Sequence, residues 1–348
     1  MTGTSNRYAG EGRHPRLFVD RKGVYGGPSP AMTAYSRRHI LAAALALPLA
    51  LPATHRARAA DSKTVRIGYQ KGSAIQMAAK ANRDLETLLG PKGYGVEWVE
   101  FQFGPPMLEA MRAGSIDVGA VGDTPPIFAQ AAHADLLYIA ANRGSSQSIL
   151  LPPGSKIQTL ADLKGKKLAF GRGSSAQYFV LQALEKAGLR YDQIEPIYLG
   201  PADAGAAFER GAIDAWSIWE PYVSLFDNRP GVRTLTTNTE LGERMSYFLA
   251  YGPFVRANPA LAAAVVEGFT VTAKKVQGTR DQVAALLAEG TGVDLAVWKR
   301  ALARDALEVL PMDDAITSIQ QKVADQFRAI GLIPIDIKVS DIVWRANV

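Results

Sequence analysis

Val65-Arg66-Ile67-Gly68-Tyr69-Gln70-Lys71-Gly72-Ser73 opens on an alternating apolar run and closes on a glycine and a hydroxyl. The alternation predicts a strand over 65–69. From Ile75 the apolar positions Ala78, Ala79, Leu85, Leu88 and Leu89 recur at helical spacing until Gly90-Pro91 stops them. Outward from this strand–loop–helix unit, a strand over 96–101 leads to the turn Gly104-Pro105-Pro106. A short helix over 107–113 then ends on Gly114. Residues 116–121 form a continuous apolar strand of the buried kind, ending at Gly122-Asp123. Pro125-Pro126 opens another helix, and a strand over 136–141 follows. Strands alternating with helices mean an α/β unit on a mainly parallel sheet.

The same plan then starts again. A strand over 167–170 runs into Arg172-Gly173-Ser174-Ser175, and a helix carries Val180, Leu181, Leu184 and Ala187 up to Gly188. A strand over 194–199, a helix over 204–210 and an apolar strand over 213–218 follow, the last ending at Trp219-Glu220. Gly72-Ser73 and Gly173-Ser174 are 101 residues apart, each behind a basic residue. Gly114-x-Ile116-Asp117 and Gly211-x-Ile213-Asp214 are 97 apart, and in each copy a carboxylate, Asp123 or Glu220, comes nine residues after the glycine. A single Gly-x-Ile-Asp is no more than a helix stop before a strand; the shared order argues for two similar α/β lobes. Helical patterns over 261–276, 280–289, 294–302 and 313–330 contain no third copy. They are expected to complete the first lobe, with the chain crossing between lobes near 142–151 and 245–251. The expected organisation is 62–145 for the first part of lobe 1, 146–247 for lobe 2, and 248–348 for the completion of lobe 1.

The charge is unevenly distributed. The 348 residues carry a net +6, but residues 1–59 hold nine of the 39 Lys/Arg and two of the 33 Asp/Glu, leaving 30 against 31 and a net −1. A nucleic-acid binder needs its basicity in the folded part, so that partner class is excluded. Ser36-Arg37-Arg38-His39-Ile40-Leu41 is a cationic n-region, 40–53 is an apolar stretch, and Ala57-Arg58-Ala59 is an Ala-x-Ala cleavage signal. Residues 32–59 are therefore expected to be a twin-arginine-like signal peptide, cleaved near Ala59 and delivering the chain to the periplasm. Residues 1–31 are expected to be a non-structural upstream extension before a second start at Met32. The apolar stretch, broken by Pro48 and Pro52, is shorter than the ~20 residues of a membrane span.

There is no cysteine, and of four histidines only His133 lies beyond the leader. Thiol nucleophiles, histidine triads and ordinary zinc sites are thereby removed, and no cofactor is expected. His133, in a polar connection, is expected at the surface.

Ligands of open parallel sheets bind beyond the carboxyl ends of strands, where helix N-termini supply unpaired N–H groups and a positive dipole end. Both Gly-Ser loops sit there. Ser73, Ser174 and Ser175 are also ordinary N-cap residues, worth about 1 kcal/mol of helix stability each and nothing more. Two such loops facing each other would surround a small anion with neutral donors. The six-residue glycine spacing and terminal Lys-Ser/Thr of a phosphate loop are missing. Asp123 and Glu220 suit buttresses that accept backbone N–H bonds, or receivers of an ammonium from a zwitterionic ligand. Trp216 and Trp219 are candidates for core or pocket wall, as are Phe103 and Met107.

Several stretches resemble the aliphatic sulfonate-binding proteins of bacterial ABC importers. They are Gly68-Tyr-Gln-Lys-Gly-Ser73, Gly114-Ser-Ile-Asp-Val-Gly-Ala-Val-Gly-Asp-Thr-Pro-Pro-Ile-Phe-Ala-Gln130, Ala161-Asp-Leu-Lys-Gly-Lys-Lys167, and Pro201-Ala-Asp-Ala-Gly-Ala-Ala-Phe208 with Asp214-Ala-Trp-Ser-Ile-Trp-Glu-Pro-Tyr222. The resemblance spans roughly 62–346. It implies a periplasmic-binding-protein type 2 fold, two α/β lobes with a hinge and an interlobe cleft. It also implies a sulfonate bound in the cleft, hinge closure, and delivery by a monomer to a membrane permease. Carried over, the ligand-binding positions are Gln70, Gly72, Ser73, Gly122 and Asp123 from one lobe and Ser174, Ser175, Trp219 and Glu220 from the other. The chain departs from the pattern at Phe101-Gln-Phe-Gly-Pro-Pro-Met107, where Phe103 would narrow the pocket and Gln102 add a polar contact. Arg172 and Glu220 stand where Lys and Asp are usual. Taurine, nitrate or another small anion is the alternative ligand. A sulfinate desulfinase on the same fold would use a cysteine this chain lacks, and a binder of thiamine precursors would carry more aromatic and acidic pocket residues.

Overall fold

The computed structural model describes residues 63–242 and 244–345, so the leader and its cleavage signal lie outside the described residues. Two sheets organise the chain. In the first, β1 (Thr64–Tyr69) lies parallel between β2 (Gly95–Glu100) and β3 (Val118–Gly122), and β10 (Met245–Tyr251) runs antiparallel to β3. β4 (Leu136–Arg143) then pairs with β10, and the short β11 (Val309–Leu310) closes the edge. In the second, β6 (Lys167–Phe170) lies parallel between β7 (Glu195–Tyr198) and β8 (Ala215–Trp219). β5 (Gln147–Leu151) pairs antiparallel with β8 and with β9 (Arg233–Thr237).

Both sheets are thus mixed rather than mainly parallel. The four strands that flank the crossings, β4, β5, β9 and β10, include β5, β9 and β10, which periodicity alone does not pick out. β5 is buried at every position, and an apolar run with no exposed face carries no alternation to read. The chain passes from the first sheet to the second between Arg143 and Gln147 and returns between Thr237 and Met245.

Helices α1 (Ala74–Asn82), α2 (Asp84–Leu89), α10 (Pro259–Gly278), α11 (Arg280–Thr291) and α12 (Leu295–Arg304) cover one face of the first sheet. α3 (Gly104–Arg112), α4 (Thr124–Ala131) and α13 (Asp314–Ala329) cover the other. The single helix expected after Ser73 is broken at Arg83, whose φ of 55° starts a new segment. Asp84 is then free to accept from Thr272 (3.0 Å) and Lys275 (3.1 Å) on α10. α5 (Ser175–Lys186), α6 (Pro201–Glu209) and α7 (Tyr222–Phe226) sandwich the second sheet. Tyr178 and Leu181 of α5 reach the first lobe's core, Tyr178 lying 5.9 Å from the Phe327 ring of α13.

The register shows why the repeated landmarks are where they are. Ile67↔Val118 and Gly68↔Gly119 in the first sheet correspond to Leu168↔Ala215 and Ala169↔Trp216 in the second, with the same offsets of 101 and 97 residues. Asp117 accepts the Arg66 backbone N–H at 2.8 Å, and Asp214 accepts that of Lys167 at 2.8 Å. Each Gly-x-Ile-Asp turn therefore ties the third strand of its lobe to the first. Gly114 and Gly211, at φ of 70° and 65°, make the left-handed turn that lets each preceding helix stop there. The motif is structural: it fixes where the loops beyond the strand ends arrive.

Candidate functional site

Those loops arrive at one cavity between the lobes. It measures about 60 Å³. At the ~10–15 Å³ a single water requires, that is room for a headgroup of a few heavy atoms and a short tail. Gln70, Gly72, Ser73, Gly122, Ser174, Ser175 and Trp219 all line it. α1 points its N-terminus into the cavity from the first lobe and α5 does so from the second.

The capping role does not account for the serines. Ser73 and Ser174 are the N-cap residues of α1 and α5, and neither makes a side-chain cap hydrogen bond. Ser174 Oγ instead donates to the Gly171 carbonyl at 2.6 Å, and Ser175 is already the first residue of its helix. The first-turn N–H groups of both helices are thus not capped by these serine side chains. Gln70 is different: its amide donates to the Ala120 carbonyl at 2.7 Å, so it fixes the β1 loop against β3 as well as lining the cavity.

Two glycines show how closely the lobes approach. A Cβ on Gly122 would lie 2.7 Å from both Cβ and Oγ of Ser175, across the cleft. A Cβ on Gly72 would lie 2.8 Å from Trp219 Cδ1 and 2.9 Å from the Glu220 carbonyl oxygen. Neither has a positive φ. Their requirement for glycine is contact between lobes, not backbone conformation.

Asp123 and Glu220, carried over as ligand-binding positions, are not among the residues that line the cavity. Each is buried and occupied by an arginine, and each arginine bridges the lobes. Arg244 lies where the chain returns to the first lobe. It meets Asp123 at 2.7 Å and donates to Gln182 Oε1 (2.6 Å) and the Ser175 carbonyl (2.9 Å) on α5. Arg304, at the end of α12 in the first lobe, donates to Glu220 at 3.0 Å and pairs with Asp227 at 2.6 Å in the second. Burial pushes the Asp123 carboxyl up from the usual carboxylate range, while Arg244 and Thr124 pull it back. Burial likewise raises Glu220, opposed by Ser224 and Arg304. A carboxylate already paired and screened in this way is a buttress of the cleft.

The aromatic candidates separate. Trp219 walls the cavity, whereas Trp216 is fully buried among Phe208, Tyr222 and Phe226. Met107 is core, and Phe103 packs against the second lobe's core beside Gly171 rather than into the cavity. Gln102 lies beside Gly200. The departure at 101–107 therefore falls on a lobe–lobe contact, although Gly104 does line the cavity. His133, with a φ of 56°, lies in the turn after α4 and away from the site.

Sequence reasoning missed a whole wall. Asn142, Arg143, Ser145 and Gln147 enter from the first crossing, Ser246 from β10, and Asp305 and Leu307 from the chain after α12. None has a partner in the repeat, so duplication could not expose them. The left-handed φ of 51° at Leu307 is visible only in three dimensions.

A family model described as "ABC transporter, phosphonate, periplasmic substrate-binding protein" matches residues 77–238. A protein of Escherichia coli (strain K12) named as an aliphatic sulfonates-binding protein is 40% identical over 88% of this chain and 97% of its own length. Two solved structures are similar. One is the alkanesulfonate-binding protein SsuA from Xanthomonas axonopodis pv. citri bound to MOPS, at TM-score 0.79 and 39% identity, covering 83% of this chain and 100% of that one. The other is the periplasmic aliphatic sulphonate binding protein SsuA from Escherichia coli, at TM-score 0.74 and 40% identity, covering 82% and 93%. Among the described residues, no helix is long and apolar enough to cross a membrane.

Proposed function

The chain belongs to the aliphatic sulfonate-binding proteins of ABC importers, and on that premise we propose that it captures a small organosulfonate in the interlobe cleft. The observation that carries the reading is the pair of helix N-termini, one from each lobe, opening on one small cavity with serines that cap neither helix. A sulfonate is permanently ionised and only accepts hydrogen bonds. Neutral N–H and O–H donors, with the positive ends of two helix dipoles, satisfy it without a formal counter-charge. Because donors come from both lobes, the ligand favours the state in which they meet, and hinge closure follows from that difference in affinity. The family is non-enzymatic: no bond is made or broken.

The ligand-binding set we propose is Gly72, Ser73, Gly122, Ser174, Ser175 and Trp219, with Gln70 holding the first loop. The domain division proposed is 62–145 with 248–348 for one lobe and 146–247 for the other. The closed monomer delivers its cargo to a membrane permease. The Arg37-Arg38 leader supports export to the periplasm, with cleavage near Ala59.

A saturating alkanesulfonate at 100 times its Kd should add about 2.7 kcal/mol of stability. At roughly 2–4 °C per kcal/mol, the melting temperature should rise by about 5–10 °C. Taurine and nitrate belong in the same panel. Ser73→Trp and Ser174→Trp should each abolish the shift while the unliganded melt stays cooperative. Retained binding in both variants, or no shift with any sulfonate at millimolar concentration, refutes the assignment.

A further inference from the structure

Within the wall that the repeat does not explain, three side chains leave acceptors unpaired. Asp305 is 9% exposed and Gln147 4%, and both line the cavity. Asp305 Oδ1, Gln147 Oε1 and Asn142 Oδ1 each lack a hydrogen-bond partner. Amide groups can present either end, but an ionised carboxylate has acceptors only, so of these three Asp305 is the one that cannot turn a donor to the cavity. The Ser146 N–H serves the Asp305 carboxylate, yet its Oδ1 stays without a donor, which is costly in a buried group, and an anion brought beside it makes matters worse. A purely aliphatic sulfonate answers neither problem. An ammonium does: it has three donors, no acceptor and the opposite charge.

We propose that Asp305 makes this cleft selective for sulfonates that carry an ammonium group on the carbon chain. The inference rests on the sulfonate reading above and specifies which sulfonates. The main chain holds Asp305 in place independently of its side chain, because Arg280 donates to the Asp305 carbonyl at 3.0 Å. Around the carboxyl stand Glu220 at the end of β8, Arg280 at the start of α11, and a backbone hydrogen bond from Ser146 at the first crossing. Arg304 beside it is already engaged with Glu220 and Asp227, and Arg143 pairs with Glu308. Burial and Glu220 push the Asp305 carboxyl up to about 7, so its charge changes within an accessible pH range.

The test is calorimetric titration with aminopropanesulfonate and butanesulfonate, which have the same number of heavy atoms. At about pH 8 the amino compound should bind about tenfold tighter or better. Between about pH 8 and pH 6 its affinity should fall about tenfold as Asp305 takes up a proton, because an alkylammonium stays protonated throughout. Butanesulfonate should move the other way. Asp305→Asn should bring the two affinities together and remove both pH dependences, with an unliganded melt confirming the fold. Equal affinities in the wild type, or a preference that survives Asp305→Asn, overturns the role of Asp305 while leaving the sulfonate reading intact. Binding of neither compound overturns both.

Discussion

Replacing Arg244 by Met tests whether the buried arginine bridges hold the lobes. The Arg244 side chain is 1% exposed and that of Asp123 4%, so neither group can recover solvation by turning outward. The variant leaves Asp123 as an unpaired buried charge, and the donors to Gln182 and the Ser175 carbonyl go with it. Breaking a buried pair by removing one partner costs about 3–5 kcal/mol. At roughly 2–4 °C per kcal/mol, the unliganded melting temperature should drop by on the order of 10 °C. The deficit has a pH signature. Without Arg244 the Asp123 carboxyl, already raised by burial, rises further, so the native state holds a proton that the unfolded state has released. Stability then falls as pH rises above the ordinary carboxylate value of ~3.9. The deficit should be smallest at about pH 5 and largest at about pH 8. Adding Asp123→Asn removes the stranded charge and keeps an acceptor for the Thr124 hydroxyl, which bonds Asp123 at 2.9 Å. The double variant should recover more than half of the loss. Urea melts of the four proteins at two pH values measure all of this. A deficit below about 1 kcal/mol, or a double variant no more stable than the single, would refute the reasoning.

Gly122→Ala places a Cβ 2.7 Å from Ser175 Cβ, a clash no rotamer relieves, so the lobes must stand further apart. Sulfonate affinity should fall about tenfold or more. The unliganded melting temperature should fall by less than in Arg244→Met, because Ser175 also accepts from Arg244, and unchanged affinity would show that ligand binding does not need the lobes to meet at Gly122. Asp305 contributes its own pH dependence to the unliganded protein. Its raised carboxyl costs stability once ionised, so stability should fall as pH rises from the ordinary carboxylate range through about 7. Asp305→Asn should flatten that slope and be more stable at about pH 8 by a few kcal/mol, and parallel stability–pH curves for the two proteins would contradict it.

Legibility followed locality. The strand–loop–helix units around Gly72-Ser73 and Gly173-Ser174 are written in consecutive residues, and the common offsets of their landmarks reappear as common sheet register. The serines were visible, but their role was not. A serine suits a helix cap and a cavity wall equally, and only the structure shows that neither Ser73 nor Ser174 makes a cap bond. Trp216 and Trp219 were equally ambiguous, because an i, i+3 pair at a strand end does not say which ring faces the cleft. Asp123 and Glu220 are placed at equivalent positions by the repeat, yet their partners Arg244 and Arg304 lie 121 and 84 residues away.

By itself, the sequence determined the α/β plan, its duplication, and the two Gly-Ser loops that meet at the cavity, because strand alternation, helical spacing and glycine punctuation are properties of neighbouring residues. Only the tertiary structure decided that the repeated carboxylates are occupied by bridging arginines, that Gly72 and Gly122 are glycines for the sake of the opposite lobe, and that Asp305 reaches the cavity. Those outcomes depend on which groups meet after the chain has crossed twice between lobes, and burial and pairing set the charge state of a side chain only once its neighbours have arrived.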